Sequence, residues 1–301
     1  MFTDRTDRIT DPTGLFAGVR ADVQADLRRV SIWMEQPVLT QTNIMMEASV
    51  KAAVHIGKFL TLVGSGGYYG DFEETENRVY YADIRTSKYL TFTVGRFLPA
   101  FGILLDDHTA MTRQSLGFGQ GQETLNTAVT FENEIFQGTL TRVISAESVE
   151  FGKDGPSYEE DADIQNRLVL RSMVKWGQKF ATGVSALYDP TNLMGGLFLL
   201  GSPIKDYLYT LAEVDWKRSG SEPNTVTTLT WFTRIGSEPI RGVTIGLDLS
   251  GQTFEAFETV ERTTRVGGFL QVFPTAHVEL KLEGRWEGER QMLLLMSHLW
   301  L

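Results

Sequence analysis

Residues 276–286 read AHVELKLEGRW. In this stretch the apolar side chains Val278, Leu280 and Leu282 stand at every second position, and charged side chains fill the positions between them. A β-strand sends successive side chains to opposite faces, whereas a helix with 3.6 residues per turn would mix the two sets. The stretch therefore predicts a strand with one apolar face and one ionic face.

The same alternation recurs along most of the chain. Residues 15–27 (LFAGVRADVQADL) and 44–56 (IMMEASVKAAVHI) each keep apolar side chains on one face and mostly polar ones on the other. Strands of soluble proteins usually have about five or six residues, whereas a tilted strand that crosses a membrane needs ~9–11. Long strands with an ionic face favour a membrane barrel around a wet lumen.

We predict an all-β fold, with residues 1–301 forming one antiparallel transmembrane β-barrel. The count is about sixteen strands, and fourteen is the alternative. The predicted strands start near residues 14, 44, 59, 78, 88, 122, 135, 165, 178, 193, 206, 224, 241, 262, 275 and 289. Short connections alternate with longer ones, which fall at 28–43, 70–77, 97–121, 147–164 and 250–261. Short periplasmic turns and long outer loops produce this rhythm in bacterial barrels.

Composition narrows the class of protein further. The net charge of −10 argues against a nucleic-acid partner, which would require a basic face. Cysteine is absent, which excludes disulfides and thiolate metal sites. The longest apolar runs, 194–201 and 292–296, are much shorter than the ~20 residues of a spanning helix. We expect no metal and no cofactor.

The two ends of the chain carry different signals. Residues 1–10 (MFTDRTDRIT) lack the apolar core of a signal peptide, so we expect this chain to be a mature form whose leader has been removed. A soluble all-β protein, which needs no leader, is the alternative. Residues 290–301 (RQMLLLMSHLWL) are apolar on both faces and resemble the C-terminal strand that closes outer-membrane barrels.

The most distinctive stretch is 94–121, VGRFLPAFGILLDDHTAMTRQSLGFGQG. Pro99 offers no N–H to a strand ladder, so the strand ends before it. The run of Gly95, Arg96, Phe97, Pro99, Phe101 and Gly102 resembles a pattern of the phosphate-selective porin family, with Ala100 interposed. The resemblance implies a barrel whose loop 97–121 folds inward and narrows the pore. The constriction candidates on it are Arg96, Asp107, His108 and Arg113, and the alternative is a loop that lies on the rim.

Strand alternation identifies the residues that should line the lumen. A charge on the lipid face would cost ~2–4 kcal/mol at the membrane midplane, so the ionic face must point inward. The predicted lumen-lining residues are Arg20, Asp22, Glu47, Lys51, Arg167, Arg171, Lys175, Arg265, Glu279, Lys281, Glu283 and Arg285. They could select ions, or they could pair across the lumen and hold the barrel open.

These patterns favour a porin-like channel of the Gram-negative outer membrane that passes small hydrophilic solutes or ions and has no enzymatic activity. The expected partners are outer-membrane lipid and lipopolysaccharide, with a homotrimer or another envelope protein as the assembly. The first alternative is an anchoring barrel that docks a partner on the acidic segment 152–163. The second and weaker alternative is a barrel hydrolase that uses Asp107 and His108.

Overall fold

The computed structural model describes residues 19–35, 39–69, 75–104, 112, 116–118, 122–145, 148–152, 155–159, 167–204, 207–220, 225–256 and 259–301. These residues form eighteen β-strands, of which sixteen build a barrel and two form a hairpin that pairs with the barrel at one position. Among the described residues, no helix is both long and apolar enough to cross a membrane.

The first seven barrel strands are β1 (Val19–Glu35), β2 (Leu39–Ile56), β3 (Leu60–Tyr69), β4 (Thr75–Arg85), β5 (Leu90–Phe97), β6 (Thr124–Glu132) and β7 (Phe136–Ser145). The hairpin is β8 (Ser148–Gly152) and β9 (Gly155–Glu159). The remaining barrel strands are β10 (Leu168–Trp176), β11 (Phe180–Tyr188), β12 (Asn192–Ile204), β13 (Leu208–Ser219), β14 (Val226–Ile240), β15 (Val243–Ala256), β16 (Thr259–Thr275), β17 (Val278–Glu287) and β18 (Arg290–Trp300).

Every barrel strand pairs antiparallel with its sequence neighbour, and β7 pairs with β10 across the inserted hairpin. The ring closes where β1 pairs with β18, from Asp26 opposite Trp300 to Glu35 opposite Gln291. Closure leaves each of the sixteen described barrel strands paired on both sides, as a membrane requires. The predicted closed barrel of about sixteen antiparallel strands is confirmed, and so is the closing role of the C-terminal segment.

The outer face of the barrel is a band of exposed apolar side chains. On β15, Ile245, Leu247 and Leu249 are exposed, whereas Asp248 and Ser250 between them point to the other side. The band continues around the ring with Leu168, Leu170, Val184, Leu197, Val214, Leu229, Ile235, Leu270, Leu282 and Leu295. A water-facing surface rarely carries contiguous apolar area on this scale. The band is therefore the surface that meets membrane hydrocarbon.

Aromatic side chains border this band at both ends. Tyr89, Trp176 and Tyr207 are exposed at the end with short turns. Tyr188, Trp216 and Trp286 are exposed near the opposite, outer end. Trp and Tyr prefer the two membrane interfaces, so the two groups set the height of the hydrocarbon layer.

Two of the predicted long loops are wrong. At residues 28–43 the structure continues β1 to Glu35 and begins β2 at Leu39. At residues 250–261 it continues β15 to Ala256 and begins β16 at Thr259. The first error has a clear cause, since beyond Arg28 the apolar residues of β1 change to the inner face while the backbone ladder continues. The outward apolar pattern stops there, but the strand does not.

Replacement of Leu247 by arginine tests the lipid-facing band. Leu247 lies midway along β15 and is 62% exposed. Arginine there should cost about 2–4 kcal/mol in the free energy of unfolding, because it faces hydrocarbon. The control is Ile240→Arg at the short-turn end of β14, also exposed at 68%, where the cost should be about 0–1 kcal/mol. Unfolding by guanidinium in phospholipid vesicles measures both, and equal small costs would contradict a lipid-facing band.

Candidate pore constriction

The structure places the twelve predicted lumen-lining residues on the inner face of the barrel. On β17, Glu279, Lys281 and Glu283 alternate with Leu280 and Leu282, which are exposed on the outer face. The same alternation places the others: Arg20, Asp22, Glu47, Lys51, Arg167, Arg171, Lys175, Arg265 and Arg285. Their part in ion selection stays a prediction.

Charged side chains on the inner face, both predicted and not predicted from the sequence, form ion pairs between neighbouring strands. Arg234 stands opposite Asp248 and contacts both of its carboxylate oxygens, at 2.7 Å from Nε and 2.6 Å from Nη2. Arg265 stands opposite Glu287, with Nη2 at 2.7 Å from Oε2. A bidentate guanidinium–carboxylate pair has a fixed geometry, so these pairs hold charge at defined positions on the lumen wall.

The inner face of β17 carries a short ladder of charge. Lys281 Nζ lies 2.8 Å from Glu283 Oε2, and Arg285 contacts the other oxygen of the same carboxylate. Lys281 also lies 5.2 Å from the centre of the Phe269 ring on β16. Two cations therefore share one carboxylate on this part of the wall.

A second cluster lies where β18 meets β1. His298 Nε2 is 2.9 Å from Asp26 Oδ1, and His298 Nδ1 is 3.3 Å from Glu279 Oε2. Lys51 on β2 lies 3.1 Å from the other oxygen of Asp26. His298 was not among the predicted lumen residues, because β18 is apolar on both faces and its sequence hides which side points inward. The outward exposure of Leu299 settles the assignment.

The loop between β5 and β6 turns into the barrel. The backbone N–H of Gly102 donates to Ser185 Oγ on β11 at 2.8 Å, and Arg171 Nε on β10 donates to the Gly102 carbonyl at 2.7 Å. The backbone N–H of Ile103 donates to Glu213 Oε1 on β13 at 3.3 Å. Three inner-face side chains thus bind the backbone of two successive loop residues.

Apolar contacts fix the same loop to the wall. Phe101 is fully buried and stacks on Phe118 with ring centres 4.6 Å apart. These rings pack with Leu116 of the loop against Val169, Leu187 and Met194 of the wall. Deeper in the barrel, Ile103 packs against Met173, Ala181 and Phe198. From Val169 to Met173 the contact descends about 13 Å along β10, at ~3.3 Å per residue.

The inner wall has glycines at two positions where a side chain would clash with neighbouring residues of the wall. A side chain at Gly196 on β12 would lie 2.0 Å from Asp215 Oδ1 and 3.5 Å from the Phe101 ring. At Gly183 on β11 it would lie 2.1 Å from the Phe198 ring. The sequence contains these glycines at inward positions of apolar strands, but only the folded contacts show what they accommodate.

Arg96 lies where the loop leaves the barrel wall. In the ladder it stands opposite Tyr80 of β4 and Leu125 of β6, and it is 7% exposed. Its Nε has no hydrogen-bond partner among the residues that the structure describes. Gly95 directly before it has φ 138°, and a Cβ there would lie 2.2 Å from the Tyr80 carbonyl oxygen. The glycine of the Gly-Arg-Phe pattern therefore permits close approach to β4.

The other three constriction candidates, Asp107, His108 and Arg113, lie outside the described residues. The described parts of loop 97–121 are residues 97–104, 112 and 116–118. The contacts of residues 101–103, 116 and 118 with β10–β13 place these described residues on the inner wall of the barrel. A role for the three candidates at the constriction stays a prediction.

Comparisons with known proteins support this architecture at the level of the fold. No protein-family model matches the chain, and no curated protein matches its sequence. Among solved structures, OmpT, an outer membrane protein of Vibrio cholerae in its trimer form, matches with a TM-score of 0.72 at 10% identity over 94% of this chain and 100% of that one. The fold is that of the outer-membrane barrels.

Two porins are also similar to this chain. The anion-selective porin from Comamonas acidovorans has a TM-score of 0.67 at 8% identity, over 94% of this chain and 100% of that one. OmpF of Salmonella typhi, in complex with daunomycin, has a TM-score of 0.68 at 9% identity, over 94% of this chain and 98% of that one. The chain thus has the fold of these outer-membrane β-barrels, and the resemblance to the phosphate-selective porin family stays unconfirmed.

An outer turn of this barrel is fixed by one buried carboxylate. Asp189 Oδ1 accepts the backbone N–H of Thr191 at 2.9 Å and the side-chain amide of Asn192 at 3.0 Å, and Asp189 Oδ2 lies 3.0 Å from Arg167 Nε. Burial alone would raise the pKa of Asp189. These donors outweigh burial and hold that pKa below its usual value.

Asp189→Asn tests this turn through pH. Asparagine keeps an acceptor for the turn but loses the charge that pairs with Arg167, so the variant should be less stable by about 1–3 kcal/mol at neutral pH. Because the folded pKa is depressed, the advantage of the wild type is full above the unfolded pKa of ~3.9 and falls as pH drops through the folded value. Unfolding measured between pH 7 and pH 2 checks this, and a pH-independent difference would contradict it.

A cysteine at position 112 tests loop docking, since the chain has no other cysteine. Thr112 is fully buried and close in size to cysteine, so Thr112→Cys should react slowly with a water-soluble maleimide. Adding Phe101→Ala removes a stacked, buried ring worth about 3–5 kcal/mol and should expose the thiol. Leu104→Cys, at a position that is 63% exposed, is the control and should react quickly in both backgrounds. Rapid labelling of Thr112→Cys alone would contradict the docked loop.

Proposed function

We propose that the chain is a porin-like channel of the Gram-negative outer membrane through which small hydrophilic solutes or ions diffuse passively. A barrel of about sixteen strands is wide enough to enclose an aqueous channel. The ionic inner face supports a water-filled lumen, because charged side chains inside a barrel must be hydrated or paired with opposite charges. The channel is proposed to act without catalysis.

The observation that carries the proposal is the position of the loop between β5 and β6. Its residues Phe101–Ile103 bind the inner wall of four neighbouring strands, β10 to β13, and descend along it. A segment bound to one side of the wall narrows a lumen. Loop 97–121 is therefore the element that sets the size of the proposed passage.

Similar solved structures also support the proposed channel. Two of the similar structures are porins, and one of these is described as anion-selective. The Vibrio cholerae protein is described in a trimer form, which supports a homotrimer as the assembly of this chain. Lipid and lipopolysaccharide are the proposed surroundings of the exposed apolar band.

Conductance tests the proposal directly. Purified protein in a planar lipid bilayer with KCl should give discrete, uniform current steps. Phe101→Ala, which frees the loop from the wall, should give larger or more variable steps because the restriction is no longer held. The matched control is Phe92→Ala, which removes the same ring from the outer face of β5 and should conduct like the wild type.

Two results would count against the proposal in different ways. A folded, heat-modifiable barrel that never conducts would exclude a channel. Normal current steps in Phe101→Ala would keep the channel and remove the loop as its restriction.

A further inference from the structure

Six apolar side chains form a patch on the inner wall, beside the charged inner face of β17. They are named here the apolar track: Val30, Ile32 and Met34 on β1, and Met292, Leu294 and Met296 on β18. Their direction follows from the ion cluster on the same faces. Asp26 and His298 contact each other inside the barrel. The track takes every second position beyond His298 on β18, and on β1 it begins after Arg28, the next inner residue beyond Asp26.

The track is continuous across the strand pair that closes the barrel. Val30 stands opposite Met296, Ile32 opposite Leu294, and Met34 opposite Met292. From Val30 to Met34 it runs about 13 Å along the strand at ~3.3 Å per residue. Val30 is buried by its neighbours, and the other five side chains keep partial exposure.

Membrane insertion does not require these side chains to be apolar. On β18 the outer face already supplies Leu293, Leu295 and Leu299, each more than 40% exposed. On β17 the inner face is ionic at the same level, with Glu283 opposite Leu294. Exposing these apolar side chains to water in the lumen costs free energy, and closure of the barrel does not require them. Their presence indicates that an apolar part of a solute contacts them.

The track lies across the lumen from the docked loop. In the ring of sixteen strands, β18 and β1 are eight positions away from β10 and β11, and eight positions is the opposite side. Phe101 and Ile103 fill the β10–β13 side, toward the outer loops. The track also lies in the half of the barrel nearer those loops, so a solute that passes the loop is directed toward it.

Charge beside the track favours one sign of solute. In the ladder of β17 and β18, Lys281 stands opposite Met296 and Arg285 opposite Met292, with Glu283 between the two cations. From Lys281 to Arg285 the inner face of β17 thus presents two cations that share one carboxylate. An anion with an apolar body would place its body on the track and its charge beside Lys281 and Arg285.

We propose that the apolar track is a binding surface for small organic anions with an apolar body as they pass the restriction. The proposal rests on the channel function above, and it names the class of solute that the channel favours. Leu294 and Ile32, at the middle of the track, carry the contact.

Block of the KCl current by benzenesulfonate tests the proposal. Methanesulfonate has the same charged group without the ring and should block much less at equal concentration. The variants are Ile32→Thr and Leu294→Thr, which make the track polar without placing a charge in the wall. The matched control is Val63→Thr on the inner face of β3, paired opposite Ala53 and away from the track.

The expected result is a half-blocking concentration of benzenesulfonate that rises about four- to fifteenfold in Ile32→Thr and Leu294→Thr, the factor for losing contact with one or two methylene groups. Val63→Thr should leave both this concentration and the KCl conductance unchanged, and the block in each variant is measured relative to that variant's own KCl current. Benzyltrimethylammonium, a cation of similar body, should block less than benzenesulfonate.

Three results would overturn the proposal. Equal block by benzenesulfonate and methanesulfonate in the wild type, or equal effects of Leu294→Thr and Val63→Thr, would remove the track as a binding surface while the KCl current still supports a channel. Stronger block by the cation would overturn the assignment to anions. A wild type without any KCl current would overturn the channel and the track together.

Discussion

The pairing of β1 with β18 is the contact on which the rest of the structure depends. A membrane offers no water to the backbone, so each strand in it must find its hydrogen-bond partners in its neighbours. Asp26–Glu35 and Gln291–Trp300 supply the final ladder, and with it the ring of sixteen described barrel strands is closed. The distinction between an outer face and an inner face exists only because this ring closes.

In a closed barrel, alternate residues of each strand face hydrocarbon on the outside and the lumen on the inside, and the sequence alternates accordingly. Leu247 and Leu249 on β15 meet hydrocarbon, whereas Asp248 between them pairs with Arg234 across the ladder. A one-residue slip in register would exchange these faces and place charge in lipid. The ion pairs between strands therefore help to fix the register of the strands.

The loop between β5 and β6 uses the lumen in a different way. Its Phe101 is as fully buried as a core residue of a soluble protein, although it lies inside a barrel. Apolar wall residues such as Val169 and Leu187 make this possible, because they give the loop a surface that excludes water. One side of the lumen is thus a small hydrophobic core, and the opposite side carries the ion cluster of Asp26 and His298 with the apolar track beyond it.

The sequence predicts most of the fold because strand alternation in a membrane is a strong and local signal. It correctly places sixteen strands, and it assigns residues such as Lys281 to the ionic face. It fails in β1 beyond Arg28, where the apolar residues move to the inner face and the signal inverts while the strand continues. It also misses Ser185 and Glu213 as partners of the loop, because those contacts join elements about 80–110 residues apart and leave no local pattern.

The central claim is that successive residues of one strand face hydrocarbon and water in turn. Because the chain has no cysteine, single cysteines at positions 244, 245 and 247–250 can each carry a nitroxide label in protein reconstituted into lipid vesicles. Spectroscopy should show greater accessibility to oxygen, which concentrates in lipid, at 245, 247 and 249, and greater accessibility to a water-soluble nickel complex at 244, 248 and 250. Uniform accessibility to the nickel complex along the strand would contradict the account.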